Sequence, residues 1–227
     1  MIKFEHVSLS FGAGNFQLED INFEVERGEF IFLIGPSGAG KTSILKMILR
    51  EIYPKSGSVY VDDQLISSRK FKEVEKLRQK IGTIFQDFKI IYDRSVIENL
   101  VLSLEILNQK NPKEEALSSL KKVGLEHKAN FFPLQLSAGE LQRLAIARAM
   151  AGGREIILAD EPTGNLDPVT SWEIVRLFRQ IHDQKKTIVF ATHNSEIVNT
   201  LKKRVLLVKK GKIIKDSRDG SYKLDNK

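Results

Sequence analysis

The string Gly35-Pro36-Ser37-Gly38-Ala39-Gly40-Lys41-Thr42 constrains this chain more than any other stretch. It fills every required position of the spacing G-x-x-x-x-G-K-[ST]. A continuously apolar run, Phe30 to Ile34, precedes it and suits a strand buried on both faces. A helical pattern from Lys41 to Arg50 follows. Strand, glycine turn and helix in that order are the context that confirms the motif. Strands alternating with helices along the chain indicate α/β architecture with a largely parallel core sheet. The motif also dictates chemistry. Phosphate oxygens need several N–H donors converging on one point, and glycines let the backbone curl that tightly. The helix that follows adds its positive end. Lys41 is expected to reach the β- and γ-phosphates, and Thr42 to offer its hydroxyl to Mg²⁺.

Other short runs repeat the strand signal. Ile2 to Leu9 alternates, and Ile21 to Val25 follows the turn-like Gly12-Ala13-Gly14-Asn15. Val59 to Val61, Gly82 to Phe85, Ile156 to Ala159, Thr187 to Ala191 and Val205 to Val208 are similar. Between them, Leu136 to Met150 and Val169 to Ile181 carry apolar residues three and four apart. From Asp87 to Pro133 the pattern is helical only, with candidates at Ser95 to Leu107 and Lys113 to Val123. This reads as a helical insertion into an α/β core. The tail from Asp216 to Lys227 is polar and expected to fray.

The 227 residues suit one domain, large enough to bury its own core. Cysteine is absent, which excludes disulfide scaffolds, thiolate zinc sites and thiol nucleophiles. The apolar runs are too short for a spanning helix, and the first residues lack a signal-peptide layout. The net charge of +7 is spread along the chain and is expected to be a solvated surface, with no specific nucleic-acid role.

Two further elements bear on function. Ile156-Ile157-Leu158-Ala159-Asp160-Glu161 places two carboxylates at the carboxyl end of a buried strand, where open α/β sheets bind ligands. Beside a phosphate loop, Asp160 is expected to hold Mg²⁺, through water, and Glu161 to polarise an attacking water. Leu136-Ser137-Ala138-Gly139-Glu140 opens a helix that Ser137 can cap. A hydroxyl with exposed amides at a helix start is a second anion site. Two anion sites far apart in one chain suggest that a second copy supplies one of them. No Asn-Lys-x-Asp string for reading guanine is present.

These residues together resemble the ATP-binding cassette (ABC) ATPases over residues 1 to 215. Leu136-Ser137-Ala138-Gly139-Glu140 is similar to their LSGGQ signature. It departs at Ala138, usually glycine, and at Glu140, often glutamine. Gln86 in Ile84-Phe85-Gln86-Asp87 resembles the Q-loop glutamine, which touches Mg²⁺ and leads into the helical subdomain. Asn165-Leu166-Asp167 resembles the D-loop, and His193 the switch histidine near the γ-phosphate. Phe11 falls where the family stacks an aromatic on adenine, with Phe16 as the alternative. The resemblance implies ATP and Mg²⁺ as ligands. It implies a nucleotide site of Phe11, Gly35, Pro36, Ser37, Gly38, Ala39, Gly40, Lys41, Thr42 and Ser43. Ser137, Ala138, Gly139, Glu140 and Asp167 of a second copy complete it. Thr42, Gln86 and Asp160 would hold the metal, and Glu161, His193 and Gln86 would carry catalysis.

The implied fold is an α/β P-loop domain with a mostly parallel core sheet, an N-terminal antiparallel β-subdomain and a helical insertion. The implied boundaries are 1–86 and 134–215 for the ATP-binding core, 87–133 for the helical subdomain and 216–227 for the tail. Phe4-Glu5-His6-Val7-Ser8, Gly82 to Phe88 and Asp93 to Asn99 resemble the FtsE branch of bacterial cell-division ATPases. In that branch the cassette is cytoplasmic, dimerises on ATP and works on the membrane protein FtsX to control cell-wall hydrolysis. The lipoprotein-releasing and macrolide-efflux cassettes share the string Ala159 to Asp167 and are the alternative. The membrane partner is expected to dock on 86–99, where Phe88, Ile90, Ile91 and Tyr92 would line a groove.

Overall fold

The computed structural model describes residues 1–10, 16–218 and 220. The chain opens with β1 (Ile2–Ser10), β2 (Phe16–Val25) and β3 (Phe30–Ile34), and α1 (Lys41–Ile48) leaves the glycine turn directly. Next come β4 (Ser56–Val61), a two-residue β5 (Gln64–Leu65), α2 (Val74–Gln79) and β6 (Ile81–Ile84). Two helices follow, α3 (Val96–Ile106) and α4 (Pro112–Lys122), and then α5 (Ala138–Met150) and β7 (Ile156–Asp160). The last elements are α6 (Pro168–Asp183), β8 (Thr187–Thr192), α7 (Ser195–Leu201), β9 (Arg204–Lys209) and β10 (Lys212–Ser217). The stretch from Asp87 to Pro133 holds helices and turns without a strand, as its pattern implies.

Local chemistry sets the helix boundaries. α5 starts at Ala138 rather than Leu136, because Leu136 and Ser137 are both extended, with Ser137 at φ −68 and ψ 163. α4 and α6 each start one residue before the apolar pattern does, at Pro112 and Pro168. Proline fits the first helical position, where its missing N–H has no partner to lose. α2 and α7 escape the periodicity because each is short and buries only one or two residues.

The chain divides into two compact units, Met1–Arg78 with Thr187–Lys227, and Gln79–Lys186. In the first, an antiparallel sheet has the order β2-β1-β4-β5. β2 begins at Phe16, five positions before the apolar run at Ile21, because irregular register with β1 carries the pairing out to Ser10 and Phe16. Phe4 stacks on Phe23 across that pair at 4.6 Å. β3 runs parallel between β8 and β9, and all five of its residues are buried. The Phe30, Phe32 and Phe190 rings cluster there, with Phe32 5.1 Å from Phe30 and 5.3 Å from Phe190.

β10 corrects the expected polar tail, since Asp216 and Ser217 are strand residues paired with Leu206 and Val205 of β9. Its mostly exposed side chains leave no apolar alternation to read. What fixes it is Arg204, which donates to Asp216 at 2.7 and 2.8 Å and to Glu29 at 3.0 Å.

In the second unit β6 and β7 are parallel, Ile81 opposite Ile156 through Ile84 opposite Ala159. Leu100, Leu104, Leu120, Leu144 and Ile146 are fully buried between its helices. A Cβ on Gly82 would collide with the Ala149 carbonyl oxygen, so β6 and α5 meet backbone to backbone. Near the end of α5, Arg148 donates to the carbonyls of Lys89 at 2.6 Å and Phe88 at 3.0 Å. Both carbonyl residues are left-handed, at φ 49 and 60. Arg154 donates to the carbonyls of Arg148 and Ala151 and to Ser103 Oγ. Burial, helped by the Arg148 charge, brings its guanidinium down to about 10.

Candidate functional site

The first unit carries the phosphate loop. A Cβ on Gly35 would collide with the Val208 carbonyl oxygen, and one on Gly40 with the Leu18 side chain. Gly40 is also the N-cap of α1, at φ 106 and ψ 7, a conformation that favours glycine. Pro36, Ser37 and Gly38 are exposed, whereas Gly35, Ala39 and Gly40 are buried. The helix end is bare of side-chain caps, and its first turn holds no acidic residue. Lys41 is only 7% exposed and folds back along the loop. Its Nζ donates to the Gly35 carbonyl at 2.8 Å and to that of Pro36 at 3.2 Å. Thr42 faces outward, while Ser43 is buried and donates to Gln17 Oε1 at 3.1 Å.

Ile34 pairs with Thr192 across the parallel strands β3 and β8. Gly35 and His193 therefore leave adjacent strands at the same edge, the carboxyl edge where α/β sheets bind ligands. His193 is exposed. Asn194 behind it caps α7, accepting from the N–H groups of Glu196 and Ile197 at 3.0 and 3.2 Å. Phe11 lies outside the described residues, as does the side chain of Phe16.

The second unit carries the carboxylates, the glutamine and the signature turn. Asp160 ends β7, and Glu161 follows at φ 45, an uncommon conformation for a non-glycine residue. Because Ile84 pairs with Ala159, Gln86 leaves β6 beside the Asp160 end of β7. Gln86 Nε2 donates to Asn165 Oδ1 at 3.4 Å, and Asn165 Nδ2 donates to the Gln86 carbonyl at 3.3 Å. The glutamine loop is thereby tied to the Asn165-Leu166-Asp167 turn. Asp167 caps α6, accepting from the Thr170 N–H at 3.0 Å. Its hydrogen bonds with Thr170 hold its carboxyl below the ordinary range.

Ser137 caps α5 as its sequence implies. Its Oγ accepts from the Glu140 N–H at 3.3 Å, and Glu140 Oε2 accepts from the Ser137 N–H at 2.9 Å. Gly139 is buried against α6, where a Cβ would stand 2.5 Å from Thr170 Cγ2. Ala138 is exposed, its methyl outside that packing.

Sequence reasoning missed Lys128, whose Nζ donates to Glu140 Oε1 at 2.5 Å. The two are 12 positions apart, too far for any helical spacing to reveal. It also missed Arg148, whose bonds go to carbonyls and leave no side-chain signature. The expected groove residues divide. Ile90 is 8% exposed and belongs to the packed interior, Phe88 and Ile91 are half-buried, and Tyr92 is 45% exposed. Ile90 is thus removed from the groove, because its side chain lies inside the unit.

The oxygens of Thr42, Gln86 and Asp160 are hard donors of the kind Mg²⁺ takes. The start of α1 and the glycine cradle suit a phosphate chain.

The ABC transporter family profile matches residues 18–164. The cell division ATP-binding protein FtsE of Bacillus subtilis (strain 168) is 42% identical over 224 residues, 98% of each chain. The methionine import ATP-binding protein MetN 2 of Bacillus cereus is 40% identical, but the chain spans only 66% of it. Among solved structures, the dimeric post-hydrolysis state of the cassette MJ0796 bound to ADP and Pi matches with a TM-score of 0.84. It is 33% identical, covering 96% of this chain and 98% of that one.

Proposed function

The chain belongs to the ABC transporter family of ATPases, and on that premise we propose that it is the ATP-hydrolysing subunit of an FtsEX-like cell-division complex. The observation that carries this is its 42% identity with FtsE across 98% of both chains. The methionine-import relative extends well past the match.

In this reading the phosphate loop, Gly35 to Thr42 with Ser43, holds the ATP phosphates through its backbone N–H groups. Lys41 leaves its two carbonyl partners and reaches the β- and γ-phosphates. Thr42, Gln86 and Asp160 would hold Mg²⁺, whose charge would offset that of the phosphate oxygens. Glu161 accepts the proton of the attacking water as the γ-phosphorus bond to the bridging oxygen breaks. His193 hydrogen-bonds the γ-phosphate. Positioning and charge neutralisation supply most of the rate in such chemistry. Ser137, Ala138, Gly139 and Glu140 of a second copy, with its Asp167, close over the same nucleotide. The dimeric form of the MJ0796 cassette supports that arrangement.

The catalytic core comprises 1–86 and 134–215, and 87–133 is the helical subdomain, with Phe11 stacking on adenine. The membrane partner, resembling FtsX, docks on 86–99 through Phe88, Ile91 and Tyr92. Among the described residues no helix is long and apolar enough to cross a membrane. In this reading the partner holds the cassette at the cytoplasmic face of the membrane.

The test is co-expression with the candidate membrane partner. Recovery of an ATPase-active complex is expected. A wild-type chain that hydrolyses ATP but never co-purifies with the partner would count against the division role. Ile91→Ser with Tyr92→Ser should lower co-purification and leave ATP affinity unchanged.

A further inference from the structure

Glu140 poses an electrostatic problem for the signature turn. It places a full negative charge in the first turn of α5, at the helix end that is to receive the γ-phosphate of a nucleotide held by a second copy. Like charges juxtaposed at an interface cost several kcal/mol.

The structure answers that charge with Lys128. The residue lies in a short 3-10 turn, Glu126–Lys128, ahead of the signature. Its ammonium donates to Glu140 Oε1 at 2.5 Å, and both side chains are mostly buried, at 23% and 15% exposed. The Lys128 carbonyl accepts from the Phe131 N–H at 2.9 Å, and its Nζ stands 5.7 Å from the Phe131 ring centroid. The cation is therefore held in place. The other oxygen of Glu140 accepts from the Ser137 N–H at 2.9 Å and from Ser137 Oγ at 3.2 Å. One carboxylate thus commits the Ser137 hydroxyl proton, while Lys128 cancels its charge. Burial pushes the Glu140 carboxyl up, but the bonds from Lys128 and Ser137 outweigh it and leave the group ionised, below the ordinary range.

We propose that Lys128 is a positioning residue of the shared ATP site, neutralising Glu140 so that the signature turn can close on a γ-phosphate. This rests on the reading of Ser137 and Gly139 as half of a site shared between two copies. A partly exposed ion pair contributes little to folding. The effect of Lys128 therefore appears when two copies close, not when one chain folds.

The measurement is the ATP concentration that half-assembles the dimer, read by light scattering with Mg·ATP on full-length protein carrying Glu161→Gln. Lys128→Met should raise that concentration about tenfold, less at high salt, because the Glu140 charge then meets the phosphate unscreened. Adding Glu140→Gln to Lys128→Met should bring it back to within about twofold, since like-charge repulsion is the only defect. Lys128→Arg should stay near the parent. Glu140→Gln alone keeps an oxygen for the Ser137 N–H and leaves Lys128 unpaired, so it should need less ATP than the parent. That variant tests the idea even if Lys128→Met fails to fold.

A Lys128→Met protein that closes like its parent overturns the proposal. So does a double variant as impaired as Lys128→Met, or a Glu140→Gln protein that needs more ATP. If the Glu161→Gln parent itself never dimerises with ATP, the shared-site reading falls and this inference falls with it. When the parent closes normally, a defect in Lys128→Met belongs to Lys128 and not to the shared site.

Discussion

Two helix starts in this chain are built to opposite plans. At α1 the cap is Gly40, which has no side chain to bond the helix start, and the first turn holds no acid. At α5 Ser137 and Glu140 close a reciprocal box, and Lys128 locks its carboxylate. Every helix leaves its first N–H groups without internal partners. In the first plan the cap contributes no side-chain acceptor, and glycine backbone sets the direction of the turn. The second supplies acceptors from within the turn for two of them, the N–H groups of Ser137 and Glu140. In the proposed function the glycine cradle would hold its ligand from one chain, whereas the capped turn would contribute only when a second copy presents the anion.

The sharpest break of this comparison is Lys41→Ala. Losing a charge-assisted contact at the phosphates should weaken ATP binding roughly a hundredfold. Titration with a fluorescent nucleotide reads this, and a change under threefold would remove the phosphate loop from its role.

Gly40→Ala tests whether backbone shape is what α1 depends on. The new methyl meets Leu18 at φ 106, and the strain should cost about 1–3 kcal/mol. Ala138→Gly, at the exposed first residue of α5, should cost about 1 kcal/mol or less. Equal losses of thermal stability would erase the contrast.

Ser137→Ala removes the α5 cap and should lower stability by about 1 kcal/mol in denaturant unfolding. It should also abolish ATP-driven dimerisation in the Glu161→Gln background, where Lys41 still binds nucleotide. Loss of nucleotide affinity instead would place Ser137 in the wrong half of the site.

The smallest effect is in pH. Glu140 has a folded pKa below its unfolded one, so its contribution to stability is present above the unfolded value and lost as pH falls through the folded one. The stability gap between wild type and Glu140→Gln should therefore be widest at neutral pH and close below the ordinary carboxylate range. A gap that widens on acidification would reverse the assignment.

The sequence exposes the first plan more fully than the second. Glycine spacing, the apolar run at Phe30 and the lysine are contiguous, so the phosphate loop is legible as one word. Ser137 and Glu140 are legible too, because a capping box is local. Lys128 is not, since between it and Glu140 the chain passes through a second 3-10 turn, Pro133–Gln135. Gln86 and Asn165 are both visible as loop residues, but their mutual bonds span 79 positions. β10 is invisible because pairing with β9 and the Arg204 bonds hold it, not an apolar face. Ile90 misleads because an apolar residue near an exposed loop carries no sign of which side it faces.

The Arg148 bonds have a mechanical consequence. One planar guanidinium holds two successive carbonyls of the segment that leaves Gln86, which makes a pin rather than a flexible tether. The pin sits near one end of α5, and Ser137 sits at the other. The arm between them is roughly 16 Å, at about 1.5 Å of rise per residue. On an arm of that length, a tilt of about 4° carries the serine hydroxyl through about 1 Å, a displacement large enough to make or unmake a hydrogen bond. The length of α5 thus amplifies any small rotation at its Arg148 end into a larger displacement at Ser137.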